Sequence, residues 1–233
     1  MRSTLRLRST PLAVLVLLLA ALGTLLSASA AQAVPTAQTS GTAARVAAVV
    51  VRGCSAVSGA KTLGYYYGDA YVRVYACGAR PSWDGARTDS GPIVRPYVGS
   101  TTYYRGYQCI ELVARYLKAR YNADPGYANG AQAVDRYVAV YPTRFLKIAN
   151  GAKGLAPRKG DVLSLSKRRN FSDVGHTGIV ISSAVNSAGN GSVLAVEQNW
   201  GGAGGTRGYH SYSVKSWRVQ YAEMPYIKWL RAR

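Results

Sequence analysis

The chain has 233 residues, 29 Lys and Arg against 10 Asp and Glu, a net charge of +19, and 48% hydrophobic residues. That hydrophobic share excludes a disordered chain, and the length suits one domain of ordinary size with at most a small appendage. The scarcity of carboxylates argues against EF-hand loops and acidic metal cages.

The first segment reads as a leader to be removed. Arg2, Arg6 and Arg8 precede an uninterrupted apolar run from Leu12 to Leu22, and Ala31-Gln32-Ala33 supplies a small-x-small processing site. This is the pattern of a secretory signal peptide, residues 1–33, with cleavage after Ala33. The apolar run is short for a bilayer span, which disfavours an uncleaved anchor, and no twin-Arg pair is present. The segment carries three Arg and no acid, so the charge falls from +19 to +16 on cleavage. Such a charge attracts polyanions. Export and the lack of a recognised binding motif argue against nucleic acid; anionic cell-wall polymers are the expected partner, with the solubility of a secreted basic protein as the equal alternative reading of the charge. The expected location is extracellular and wall-associated, and the expected state is a monomer.

Residues 34–64, rich in Ala, Val, Ser, Thr and Gly, read as a flexible leader to a domain spanning 65–233. The alternating aromatic and β-branched stretch Tyr65–Cys77 reads as a strand. Residues 78–106, with Pro81, Pro92 and Pro96, read as loop with short extended pieces. Apolar residues at Ile110, Val113, Ala114 and Leu117 predict a helix over 108–121. Glu111 in its first turn and Arg115, Lys118 and Arg120 toward its end complement the helix dipole. A second helix is predicted over 131–140, stopped by Pro142. The period then changes to two, predicting strands at 162–165, 176–182, 192–198, 209–214 and 226–230. The sum is an α+β domain whose helices precede an antiparallel meander. Gly201–Gly205 lacks the residues of a phosphate loop.

Three cysteines in an oxidising compartment leave at least one unpaired within a monomer. Cys54 and Cys77 flank the Tyr-rich segment, and their disulfide would contribute roughly 3 kcal/mol by the chain-entropy model. Cys109 would then remain a free thiol, at the start of the predicted helix. Unpaired N–H groups and the positive end of the dipole favour an anion there, as a cysteine nucleophile requires. The same N–H groups and the Gln108 side chain could stabilise an oxyanion. A small residue capping a core helix is the alternative.

The chain has 2 His. His176 opens a predicted strand beside Gly175, an accessible place for a base. His210 lies mid-strand and reads as a half-exposed surface residue. Glu197 and Asn199 stand two apart on the next strand, so they share a face, and a carboxylate ending an apolar strand either has reached solvent or, if buried, needs a partner such as His176. The spacing of Cys and His assembles no four-ligand metal site, and no cofactor is expected.

The segments YQCIELVARYL (107–117), GDV (160–162), GHTGIV (175–180) and VEQNW (196–200) resemble, in that order, the CHAP family, cysteine- and histidine-dependent amidohydrolases and peptidases with a papain-like core. The resemblance implies an N-terminal helix carrying the cysteine, packed on an antiparallel sheet or half-barrel. It implies Cys109 as nucleophile, His176 as base, Glu197 as orienting residue and Asn199 as auxiliary or alternative third member. It also implies peptidoglycan amide bonds as substrate. Some members bind calcium through an Asp-rich loop before the cysteine, but residues 92–106 contain no Asp or Glu, so no metal is carried over. The first motif is also similar to the amidase half of glutathionylspermidine synthetase/amidase, which keeps a small amide substrate as an alternative. A non-catalytic, basic wall-binding or polyanion-binding protein is the other.

Overall fold

The computed structural model describes residues 53–56, 60–68, 72–78, 93–200 and 207–233, all within the compact unit Ala44–Arg233. The expected signal peptide, much of the expected leader and Gly201–Gly205 lie outside the described residues.

The Tyr-rich segment is two strands rather than one. β1 (Thr62–Tyr67) and β2 (Arg73–Cys77) pair antiparallel, with Tyr66 opposite Val74. The Gly68 N–H donates to the Val72 carbonyl at 2.9 Å and closes the hairpin. Gly68-Asp69 is a turn signal that the aromatic alternation on either side conceals. The Cys54–Cys77 disulfide is formed and ties a short 3-10 turn, Cys54–Ala56, to the end of β2. Ordered structure therefore begins upstream of residue 65.

Two short strands, β3 (Ile93–Val94) and β4 (Tyr104–Arg105), pair ahead of helix α1 (Cys109–Tyr121). Every residue of α1 from Cys109 to Leu117 is buried, including Glu111 and Arg115. Arg115 is thus not a surface complement to the dipole: its Nε lies 2.7 Å from Glu111 Oε1, one turn back. Two opposite charges on one helix face neutralise each other where neither could be buried alone. Asn122 ends the helix in the left-handed region, φ 49°, its N–H reaching the Leu117 and Lys118 carbonyls. A 3-10 turn, Gly130–Gln132, leads into α2 (Ala133–Val140).

The main sheet contains β5 (Phe145–Ala149), β6 (Val162–Ser166), β7 (His176–Val185), β8 (Gly191–Val196), β9 (Tyr209–Lys215), β10 (Arg218–Gln220) and β11 (Tyr226–Ala232). Its order is β10-β9-β8-β7-β6-β11-β5, antiparallel throughout. The meander expected from the sequence is found from β6 to β9. The last strand then returns to lie between β6 and β5, and β5 and β10 were not anticipated. Successive residues of the central strands feed different cores. Val162, Ile179 and Val196 pack with Leu112, Val113 and Tyr116 of α1. Leu163, Leu165, Val180, Ala195, Tyr212 and Trp229 form a second core on the other face. A sheet buried on both faces, with α1 laid across β7, gives the α+β half-barrel arrangement that the resemblance implies. Among the described residues no helix is long and apolar enough to cross a membrane.

Candidate active site

The site forms where the start of α1 meets the start of β7 and the end of β8. Cys109 is the first residue of α1, buried, and the free cysteine of the chain. The first N–H groups of a helix lack intrahelical acceptors, so the helix start that carries Cys109 favours an anion.

His176 opens β7 opposite Leu165 of β6. The chain reaches it through Gly175, whose φ of 54° falls in the left-handed region and whose Cβ would lie 2.3 Å from the Leu165 carbonyl oxygen. Only glycine lets the polypeptide turn this closely against β6 and point the imidazole at α1. Glu197 follows β8 directly, and its N–H donates to the Gly208 carbonyl at 2.8 Å. Its carboxylate lies against Gly178, where a side chain would collide with Glu197 Cγ at 2.7 Å.

His176 Nε2 and Glu197 Oε2 are 3.2 Å apart, both residues almost wholly buried. Nε2 is engaged there, and Cys109 stands near enough to the imidazole to act on its charge. Burial pulls the imidazolium down, but the Glu197 charge, then Cys109, overcome it and hold His176 up at about 9. Burial likewise pushes Glu197 up, but the His176 imidazolium, with hydrogen bonds from His176 and Tyr212 and His210 nearby, holds it down at about 2. At neutral pH the pair is therefore imidazolium and carboxylate. Tyr212 donates its hydroxyl to Glu197 Oε1. Burial and then the Glu197 charge raise the Tyr212 phenol well above its ordinary value, so it stays a donor.

Asn199 does not reach the imidazole. Its Nδ2 donates to Gln108 Oε1 at 2.6 Å, while Gln108 Nε2 donates to the Arg105 carbonyl at 2.7 Å. The Gln108 amide, next to Cys109, is thereby fixed at both ends. Its second N–H remains directed away from the Arg105 bond.

Five residues that sequence reasoning did not single out support this arrangement. Gln198, fully buried, accepts from the Cys77 N–H at 2.9 Å and from Arg115 at 3.2 Å, and donates to the Gln108 carbonyl at 2.6 Å and Glu111 at 2.7 Å. It joins the disulfide-bonded strand, the buried ion pair and the residue preceding Cys109. Trp200 packs on the His176 ring in an edge-type contact, centroids 4.4 Å apart. Tyr212 and Gly178 act on Glu197 as described. His210 is partly exposed, as expected, yet its Nδ1 lies 3.8 Å from Glu197 Oε1 and 3.1 Å from Arg207, and its ring packs on Tyr212. The pairing of β8 with β9, which sets Ala195 opposite His210, brings this second histidine to the carboxylate. The sequence offers no local signal for that register.

A cleft of about 250 Å³ opens onto Cys109, walled by Tyr103, Tyr104, Tyr127, Asn129 and Val174. Tyr104 and Tyr127 stack with centroids 5.8 Å apart, and Tyr127 is largely exposed. A larger hollow, about 580 Å³, lies beside β10, and none of Cys109, His176 and Glu197 lines it. Among the described residues no group of His, Cys, Asp and Glu could hold a metal ion.

Residues 98–199 match the family model of the CHAP domain. Gln108, Cys109, His176, Glu197 and Asn199 all fall inside that match. No curated protein matches the chain.

Proposed function

Since residues 98–199 are a CHAP domain, we propose that this protein is a secreted cysteine hydrolase that cuts amide bonds in peptidoglycan. CHAP domains are hydrolases of the amidase or peptidase type. The observation that carries the finer reading is the buried His176–Glu197 pair, 3.2 Å apart, beside a free cysteine at a helix start.

The chemistry follows from that geometry. Glu197 holds His176 as imidazolium, and the thiolate is the form of Cys109 that reacts. The thiolate attacks the amide carbonyl carbon. The carbonyl oxygen takes the electron pair and is met by backbone N–H of α1 and the free N–H of Gln108. Asn199 acts here by fixing Gln108, with Glu197 as the orienting partner of His176. The C–N bond then breaks as His176 gives its proton to the departing amine. Water loses a proton to His176 and adds to the thioester, releasing the carboxylic acid and restoring the ion pair. The balance is amide plus water to acid plus amine, and it needs no cofactor.

The N-terminal pattern supports export, and the +16 charge after cleavage supports retention on anionic wall polymers. The test is to digest purified peptidoglycan and identify released ends by mass spectrometry. New amino groups on the bridge mean endopeptidase action, and free lactyl groups on the sugar mean amidase action. Cys109→Ala abolishes release and leaves salt-sensitive binding to the wall intact. Release by that variant at the wild-type rate would refute the nucleophile.

A further inference from the structure

The acyl-transfer scheme uses one oxygen of Glu197, the Oε2 that meets His176. The other, Oε1, is equally buried and accepts the hydroxyl of Tyr212, a residue of β9 beyond the 98–199 family match. We propose that Tyr212 is a positioning residue, holding Glu197 in the orientation and charge state that His176 requires. The inference rests on the roles proposed above for Cys109, His176 and Glu197.

The last torsion of a glutamate side chain is broad, so one hydrogen bond does not fix the plane of its carboxylate. A second, to the opposite oxygen, does. Tyr212 is suited to supply it because its own position is set independently. Its residue is 2% exposed, its backbone pairs with Val193 of β8, and its ring packs between His210 and Tyr221, centroids 4.2 and 5.5 Å away. The other ionisable groups around Glu197 cannot replace it. His176 of β7, with Cys109 of α1 beside it, occupies Oε2. His210 of β9 stands 3.8 Å from Oε1, beyond good hydrogen-bond range, and its Nδ1 faces Arg207. Tyr221, after β10, touches the rings of His210 and Tyr212. A phenol also donates without carrying charge. It keeps Glu197 anionic without competing with the imidazolium for it.

The experiment measures the pH dependence of Cys109 alkylation by iodoacetamide in the full chain, with Cys54 and Cys77 paired, for wild type, Tyr212→Phe, Glu197→Gln and the double variant. It needs no substrate. In the wild type, thiolate reactivity spans a plateau between formation of the thiolate–imidazolium pair and loss of the imidazolium proton. Tyr212→Phe narrows that plateau from both sides and lowers the alkylation rate near its acid edge about tenfold. In the Glu197→Gln background the same substitution changes the rate less than twofold, because its target is already altered. On wall substrate, Tyr212→Phe lowers kcat and leaves KM within twofold. The proposal is overturned if Tyr212→Phe keeps the wild-type plateau, scales the rate equally at every pH, or acts in full on Glu197→Gln. Those last two outcomes are what a purely structural tyrosine would give, so a loss of thermal stability in the variant does not blur the result. Failure of the underlying Cys–His reading shows separately, as a single ordinary thiol ionisation in the wild type.

Discussion

Replacing Gly178 by alanine tests the site through a single methyl group. Gly178 lies two residues beyond His176 on β7, so a side chain there would project to the same face of the strand. The new Cβ would stand 2.7 Å from Glu197 Cγ and 3.2 Å from both Glu197 Oε1 and the Val196 carbonyl oxygen. Alanine in place of glycine within a strand ordinarily stabilises by about 0.5–1 kcal/mol. Here the opposite sign is expected. Glu197 is fully buried and held at both oxygens, so either β7 shifts against β8 or the carboxylate leaves His176. Overpacking of this kind costs about 1–3 kcal/mol, which for a chain of this size lowers the melting temperature by roughly 2–4 °C per kcal/mol. If the carboxylate moves, a charged hydrogen bond of about 1.5–3 kcal/mol is lost, equivalent to a rate reduction of about 10–100-fold. Thermal unfolding and hydrolysis of purified peptidoglycan read the two effects. A Gly178→Ala protein that melts at or above the wild-type temperature with unchanged hydrolysis would refute the claim that Glu197 works in contact with this strand.

Stability should fall at both ends of the pH scale because of one buried pair. His176 sits at about 9 in the folded chain against 6.5 when unperturbed, so its contribution is complete below about pH 6.5 and is lost as the pH rises through 9. Glu197 sits at about 2 against 4.5, so its contribution is present above about pH 4.5 and is lost as the pH falls through 2. The two shifts describe the same interaction, worth on the order of 3 kcal/mol. Urea midpoints measured from pH 3 to 9.5 should show both slopes in the wild type and much weaker ones in Glu197→Gln; equal slopes in the two proteins would contradict the assignment. Gln198→Ala should destabilise by about 3 kcal/mol or more, since the Cys77 N–H, the Gln108 carbonyl and Glu111 each lose a buried partner. A surface-like change below 0.5 kcal/mol in denaturant melts would dismiss that network.

The parts of the molecule legible in the sequence are those set by local pattern. The 3.6-residue spacing of Ile110, Val113 and Leu117 fixed α1 to within a residue, and the period-two stretches found β6, β7, β8, β9 and β11. Juxtapositions that depend on sheet order were not legible. Nothing in YIKWLRA indicates that it inserts between β6 and β5, and nothing in GYHSYS indicates that Tyr212 and His210 face Glu197. Arg115 shows the same limit: on a helical wheel it is a cation near a C-terminus, whereas the tertiary structure buries it against Glu111 and Gln198. Of the candidate residues, Cys109, His176 and Glu197 come together as the order of motifs implied, and Asn199 instead secures Gln108.

The strand Tyr226–Ala232 makes the C-terminal segment indispensable to anyone who would transplant this fold. It occupies an interior lane of the seven-stranded sheet and contributes Trp229 to one core and Leu230 to the other, although it begins well after residue 199. A fusion trimmed to the stretch that sequence comparison recognises would keep Cys109, His176 and Glu197 and lose an interior strand of its scaffold. The graft that works has to run to the final residues.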